Sequence, residues 1–176
     1  MVKIRTLVLC LLLALFLCSC NGGGEKSLGL FSDGFTCEYS YIEKGMTVRV
    51  RLTSRQGSQG RVMSLSFLEP SSLVGVVCES GLENCRVRCG EIDITGEAAE
   101  ALMVSAKLFC EPSATKFCER TVIDGQTLER FKAVFEDGRE ASVYIDGSTE
   151  LPVKISGEVC GRQFELNIIS FERLGG

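Results

Sequence analysis

The stretch FTCEYSYIEKGMTVRVRL, residues 35–52, decides the fold. On both sides of Lys44-Gly45, apolar or aromatic side chains alternate with polar ones. This period of two is typical of strands that bury one face. Because Lys44-Gly45 has the composition of a turn, residues 35–41 and 46–52 are predicted to form a β-hairpin, with the Thr and Arg side chains of the second strand facing outward.

The same alternation continues along most of the chain. Further strands are predicted at 61–67, 73–78, 85–89, 92–94, 116–123, 127–136, 140–146, 153–157 and 162–171. Between 96 and 109 the spacing becomes helical, with Ala98, Leu102, Ala106 and Phe109 in one apolar stripe. Since a long twisted sheet has to curl, the sequence predicts a mainly β fold. We expect a curved antiparallel sheet, or incomplete β-barrel, of about ten strands closed by one central helix.

The N-terminus is typical of an exported chain. Lys3 and Arg5 precede an apolar run at 7–17, which is too short to span a hydrocarbon layer of about 30 Å and has the length of a signal-peptide core. The run ends in Leu17-Cys18-Ser19-Cys20, which resembles the bacterial lipobox, whose cysteine accepts a diacylglyceryl group. The alternatives are an uncleaved anchor and an ordinary cleaved signal.

These features predict the organisation of the whole chain. We expect a lipoprotein signal peptide at 1–19, lipidated Cys20 with a flexible tether through residue 33, one domain over 34–172 and a short tail at 173–176. The mature protein would lie in the bacterial cell envelope, held to a membrane by Cys20. Two or three acyl chains on one residue give stable anchoring.

The charge of the chain restricts its partners. The full sequence has 19 basic and 23 acidic side chains, and the loss of Lys3 and Arg5 with the signal changes the net charge from −4 to −6. Nucleic acids and anionic lipid surfaces are recognised by clustered positive charge. We therefore expect no nucleic-acid partner, and we expect a monomer.

Cysteine chemistry leaves several alternatives open. Of ten cysteines, Cys10 and Cys18 would leave with the signal and Cys20 would be lipidated. The seven that remain are Cys37, Cys78, Cys85, Cys89, Cys110, Cys118 and Cys160. They could form disulfides in an oxidising compartment or remain free as small buried hydrophobes. Zinc is disfavoured, because the chain has no histidine and Cys85 and Cys89 lack the usual C-x2-C spacing.

No enzyme signature is present in the sequence. Histidine, the commonest general base, is absent, and neither a phosphate-binding loop nor a G-x-S-x-G motif occurs. We therefore predict no catalytic residue, cofactor or metal. The candidate site is instead the inward apolar face, on which small helix residues could leave room for a lipid tail. Its predicted lining is Phe35, Val48, Val50, Met63, Leu65, Phe67, Leu102, Ala106, Phe109, Phe131, Phe135, Val143 and Ile145. A filled core is the alternative.

Three segments resemble the lipoprotein-carrier (LolA/LolB-like) superfamily. They are SFLEPSSLVG at 66–75, YIDGSTELPVKI at 144–155 and the closing IISFE at 168–172. The resemblance implies a half-barrel around helices, with an apolar cavity for acyl chains or a partner's lipid. A lipidated member would bind lipid or lipoprotein for envelope transport or sorting without catalysis. The alternative is an envelope protein-interaction or regulatory module with a filled core.

Overall fold

The computed structural model describes residues 29–58, 60–81 and 84–174. This part of the chain forms one eleven-stranded antiparallel sheet whose two edge strands do not pair with each other, which confirms the mainly β, incomplete-barrel fold. The strands are β1 Phe35–Glu43, β2 Met46–Gly57, β3 Gly60–Glu69, β4 Val77–Ser80, β5 Cys85–Cys89, β6 Ile92–Thr95, β7 Ala114–Ile123, β8 Gln126–Val134, β9 Glu140–Asp146, β10 Pro152–Val159 and β11 Arg162–Arg173. The predicted signal peptide and Cys20 lie outside the described residues, so lipidation stays a prediction.

The strand order explains where the helical segment lies. In space the order is β6-β5-β4-β3-β2-β1-β11-β10-β9-β8-β7. The chain therefore winds outward from β1 to one edge at β6, resumes at the opposite edge with β7, and returns to β11 beside β1. The link between β6 and β7 crosses the sheet on its inner face, where it contacts β4, β5, β6 and β10.

The hairpin predicted from residues 35–52 is present. Glu43 pairs with Met46 across a turn in which Lys44 has a φ of 50° and Gly45 a φ of 80°. Cys37 and Tyr39 are fully buried on the inner face of β1. On the outer face, Glu38 accepts hydrogen bonds from the predicted outward arginines of β2, and these bonds lower the pKa of its carboxyl.

The single central helix predicted over 96–109 is instead two short helices. Helix α1 spans Glu97–Leu102, and a 3-10 helix spans Val104–Phe109 after Met103, whose φ and ψ are −88° and 1°. A 3-10 helix rises about 2.0 Å per residue against 1.5 Å in an α-helix, so it covers more of the distance between the two edges. Neither these helices nor any other in the described residues has the length and hydrophobicity to cross a membrane.

The strand predicted at 73–78 is also different. A short 3-10 helix occupies Ser71–Leu73, and β4 begins only at Val77. Pro70 precedes the helix, and Gly75 has a φ of 91°, a conformation that favours glycine. The chain therefore turns here, and the turn brings Leu73 towards the inner face of the sheet.

An aromatic cluster fills one part of the inner face. Phe109, at the end of the 3-10 helix, lies 4.9 Å from Tyr39, 5.8 Å from Phe31 and 6.1 Å from Phe35, measured between ring centroids. Phe31 and its neighbour Leu30 fall in the range assigned to the tether, but they are 1% and 3% exposed. The packed core therefore includes residues that precede β1.

The same 3-10 helix packs against a row of small residues of the sheet. Ala133, Ala141 and Gly157 lie side by side on β8, β9 and β10. A Cβ atom added at Gly157 would lie 3.0 Å from Cδ2 of Leu108 in the 3-10 helix. The inner face is therefore filled at this position.

Candidate functional site

A groove of about 450 Å³ remains at another part of the inner face. It lies between the β1–β2 hairpin, the loop after β3, helix α1 with the residues that follow it, and the start of β11. Most of its lining is apolar, and the full lining is Tyr41, Glu43, Met46, Val48, Phe67, Pro70, Leu73, Ala98, Ala101, Leu102, Val104, Ser105, Arg162 and Phe164. A volume of several hundred Å³ and a mostly apolar wall are typical of small-molecule sites.

Tyr39, Tyr41 and Ser105 place hydroxyl groups near this groove. The hydroxyls of Tyr39 and Ser105 form a buried hydrogen bond of 2.8 Å. Tyr41 is half-buried, with its ring stacked 6.2 Å from that of Tyr39. Burial raises the pKa of Tyr41, and the neighbouring Ser105 hydroxyl opposes part of that shift. The Tyr41 phenol is therefore protonated at neutral pH and can donate a hydrogen bond.

The charged side chains among the lining residues are Glu43 and Arg162. They form an ion pair through Nη2 of Arg162 and Oε2 of Glu43. The guanidinium carbon of Arg162 also lies 5.0 Å from the centroid of the Phe164 ring, a cation–π distance. The ion pair and the ring together hold the guanidinium beside an apolar wall.

The structure brings few of the predicted cavity residues to this groove. Val48, Phe67 and Leu102 line it. The remaining predicted residues are packed in the core, with Met63 half-buried against it: Phe35, Val50, Met63, Leu65, Ala106, Phe109, Phe131, Phe135, Val143 and Ile145. That any of these thirteen predicted lining residues contacts a ligand stays a prediction. Ala106 is fully buried, so a larger side chain there would disrupt the core and is unsuitable for testing the groove.

Larger depressions on the outer face have a different character. One of about 650 Å³ is lined by polar side chains such as Asn84 and Thr95, together with Arg86 and Asp93. Those two charged residues already form an ion pair with each other. A wide polar surface of this kind gives an acyl chain little apolar contact, so the smaller inner groove is the better candidate.

The seven described cysteines are free in the structure. Cys37 and Cys78 are buried, and burial raises the pKa of both thiols, that of Cys78 to about 11. Since the thiolate is the reactive form, these two cysteines are poor nucleophiles at neutral pH. Among the described residues, no three His, Cys, Asp or Glu side chains come together as a metal site.

The fold and the groove define a class: an open antiparallel half-barrel with helices on its inner face. Solved structures similar to this chain include an uncharacterised conserved protein from Thermus thermophilus, with a TM-score of 0.53 and 10% identity over 84% of this chain and 83% of that one. This similarity supports a shared fold.

Two further similar structures have lower TM-scores. One is a LolA superfamily protein from Nitrosomonas europaea, at 0.44 and 11% identity over 86% of this chain and 91% of that one. The other is lipoprotein LppX from Mycobacterium tuberculosis, at 0.40 and 12% identity over 85% and 93%. No protein-family profile matches the chain, and no curated protein is similar to it in sequence.

Proposed function

We propose that this chain is a lipid-anchored protein of the bacterial cell envelope that binds an apolar ligand, a lipid or a lipoprotein acyl chain, for transport or sorting. The observation that carries the proposal is the groove of about 450 Å³ with its mostly apolar wall. Tyr41, Met46, Leu73 and Phe164 provide apolar contact there. The few polar groups of the lining would orient the ligand, as they do in other small-molecule sites.

The groove can be tested by filling it. Ala101 is an exposed residue of α1 that lines the groove, whereas Ala114 is an exposed residue at the start of β7 that does not. Residues 27–176, exported from a bacterial host, would be analysed by native mass spectrometry with lipid extraction. We expect one bound lipid per chain in the native sequence and in Ala114→Phe, and a several-fold lower occupancy in Ala101→Phe.

Circular dichroism would first show that both variants have the native strand content. A clean apo mass for the native sequence, repeated after incubation with lipids of the host, would contradict lipid binding. Equal occupancy in Ala101→Phe and Ala114→Phe would show that the lipid is held elsewhere.

The anchor is tested separately on the full chain. We expect metabolic labelling with an alkyne fatty acid to mark the native protein, and Cys20→Ala to abolish the label, because only a thiol accepts the diacylglyceryl group. In membrane fractionation, the Cys20→Ala protein should either be released from the membrane or stay there as a precursor whose signal peptide is not cleaved. A Cys20→Ala protein that still carries the fatty acid would contradict the assignment.

A protein-binding role is the second candidate, and the edge strand β6 favours it. Ile92 and Ile94 are 61% and 44% exposed on an edge strand, on the same face as the buried Val87 of β5. Exposed apolar side chains beside unpaired backbone groups are typical of partner contacts. This role would be favoured if the chain binds a partner protein in the cell, if Ile92→Asp abolishes that binding, and if native mass spectrometry finds no lipid in the groove.

A further inference from the structure

The size of the groove restricts the number of acyl chains it can hold. A methylene group is about the size of a water molecule, whose share of liquid volume is about 30 Å³. A groove of about 450 Å³ therefore corresponds to about fifteen methylenes, or one acyl chain. A lipid with two or three chains would leave at least one of them outside.

The polar groups of the lining indicate the charge of the head group. Arg162 donates from Nη2 to Glu43, while its Nε and Nη1 atoms donate no hydrogen bond within the described residues. The side chain is 42% exposed, so an arriving group can reach those donors. An arginine fork matches the geometry of carboxylate and phosphate oxygens.

Tyr41 provides an uncharged hydroxyl in the same groove, whereas the hydroxyl of Ser105 already pairs with that of Tyr39. Because Arg162 still has free donors while paired with Glu43, an anionic oxygen can bind without separating that ion pair. A cationic head would have no use for these free donors, and an uncharged head would gain less from the guanidinium than an anionic one.

We propose that the groove takes a single acyl chain with an anionic oxygen on its head, and that Arg162 binds that oxygen. The inference rests on the proposed function of the groove and specifies its ligand. A fatty-acid carboxylate and a lysophospholipid phosphate present the same chemistry to the guanidinium. The two sources differ only in what lies beyond the charged oxygen.

The test uses the full chain in the membranes of the cells that produce it. Four photoactivatable diazirine probes are compared: palmitic acid, a palmitoyl lysophospholipid, hexadecanol as the uncharged single chain, and a two-chain phosphatidylethanolamine. Cross-linked peptides are mapped by mass spectrometry. The variants are Arg162→Gln and the matched control Arg120→Gln, which removes an exposed arginine that is paired with Glu129 outside the groove.

We expect palmitic acid or the lysophospholipid to label peptides that contain Met46, Leu73 or Leu102. We expect Arg162→Gln to lower that labelling by about tenfold, because a charge-assisted hydrogen bond is lost, and Arg120→Gln to leave it unchanged. Hexadecanol labelling should be weaker and equal in all three proteins, which also shows that Arg162→Gln retains the folded groove. The stronger of the two anionic probes identifies the source.

Three results would overturn the inference. Equal palmitic acid labelling of the native and Arg162→Gln proteins would show that Arg162 does not bind the head group. Hexadecanol labelling as strong as that by palmitic acid would show that the groove does not require an anionic head group. Groove labelling by the two-chain probe alone would exclude a single-chain ligand while leaving the proposed function standing. If no probe labels the groove, the proposed function fails as well.

Discussion

We expect Phe109→Ala to lower the free energy of unfolding by about 3–5 kcal/mol, the range for truncating a buried phenylalanine. The ring is fully buried and contacts three other aromatic rings, those of Phe31, Phe35 and Tyr39. Two of these belong to β1 and one precedes it. The truncation therefore leaves a cavity between the sheet, the 3-10 helix and the residues that lead into β1. Urea unfolding monitored by circular dichroism would measure the change.

Phe117→Ala is the matched control, because Phe117 is 38% exposed on the edge strand β7 and contacts one ring, that of Phe131 at 5.5 Å. A loss below about 1.5 kcal/mol is expected there, since little apolar area leaves contact. For a domain of this size the two variants should differ in Tm by on the order of 10 °C. Equal losses would show that the 3-10 helix is not a main part of the core.

The strands could be predicted because their signal is local. In β1 the alternation of Phe35, Cys37 and Tyr39 with polar neighbours specifies the buried face, and the turn at Lys44-Gly45 specifies the register with β2. The Asp124-Gly125 turn between β7 and β8 is equally direct, with φ values of 51° and 80° that suit a tight hairpin. These features depend on a few consecutive residues.

The groove could not be predicted in the same way, since it depends on which inward side chains the link between β6 and β7 covers. The Tyr39–Ser105 hydrogen bond joins residues 66 apart, and the Glu43–Arg162 pair joins residues 119 apart. Alternation predicts that Val48 and Val50 both face inward, but it does not predict that Val48 lines the groove while Val50 is fully buried. Tyr41 could have been predicted as a lining residue, because it is the next inward position of β1 after Tyr39.

The start of the domain shows a second limit of pattern reasoning. Leu30 and Phe31 stand among glycines and polar residues, a composition typical of a tether. Phe31 is nevertheless buried, with its ring 5.7 Å from that of Phe35 and 6.3 Å from that of Phe171. Two adjacent apolar residues were the available signal, but they are too few to define a period.

Gly157 is the position at which the filled part of the inner face can be tested most directly. A Cβ atom there would lie 3.0 Å from the Glu140 carbonyl oxygen, 3.0 Å from Cδ2 of Leu108 and 3.1 Å from Cβ of Ala141. Real Cβ atoms rarely have contacts this short, and one of these neighbours is backbone that cannot move away as a flexible side chain can. The absence of a side chain is therefore what lets the 3-10 helix approach β10.

We expect Gly157→Val to lower the free energy of unfolding by about 1–3 kcal/mol, the usual cost of overpacking, although valine has the higher strand propensity. Gly147→Ala is the control, because the nearest atom to its new Cβ would be Cγ of Glu129 at 3.9 Å, an ordinary contact. Urea unfolding would also be measured for Leu108→Ala and for the double variant. Since Leu108 is one of the two side chains that the valine meets, the double variant should lose less stability than the sum of the two single losses. Strict additivity, or a Gly157→Val protein as stable as the native one, would mean that the 3-10 helix does not pack against β10 as described.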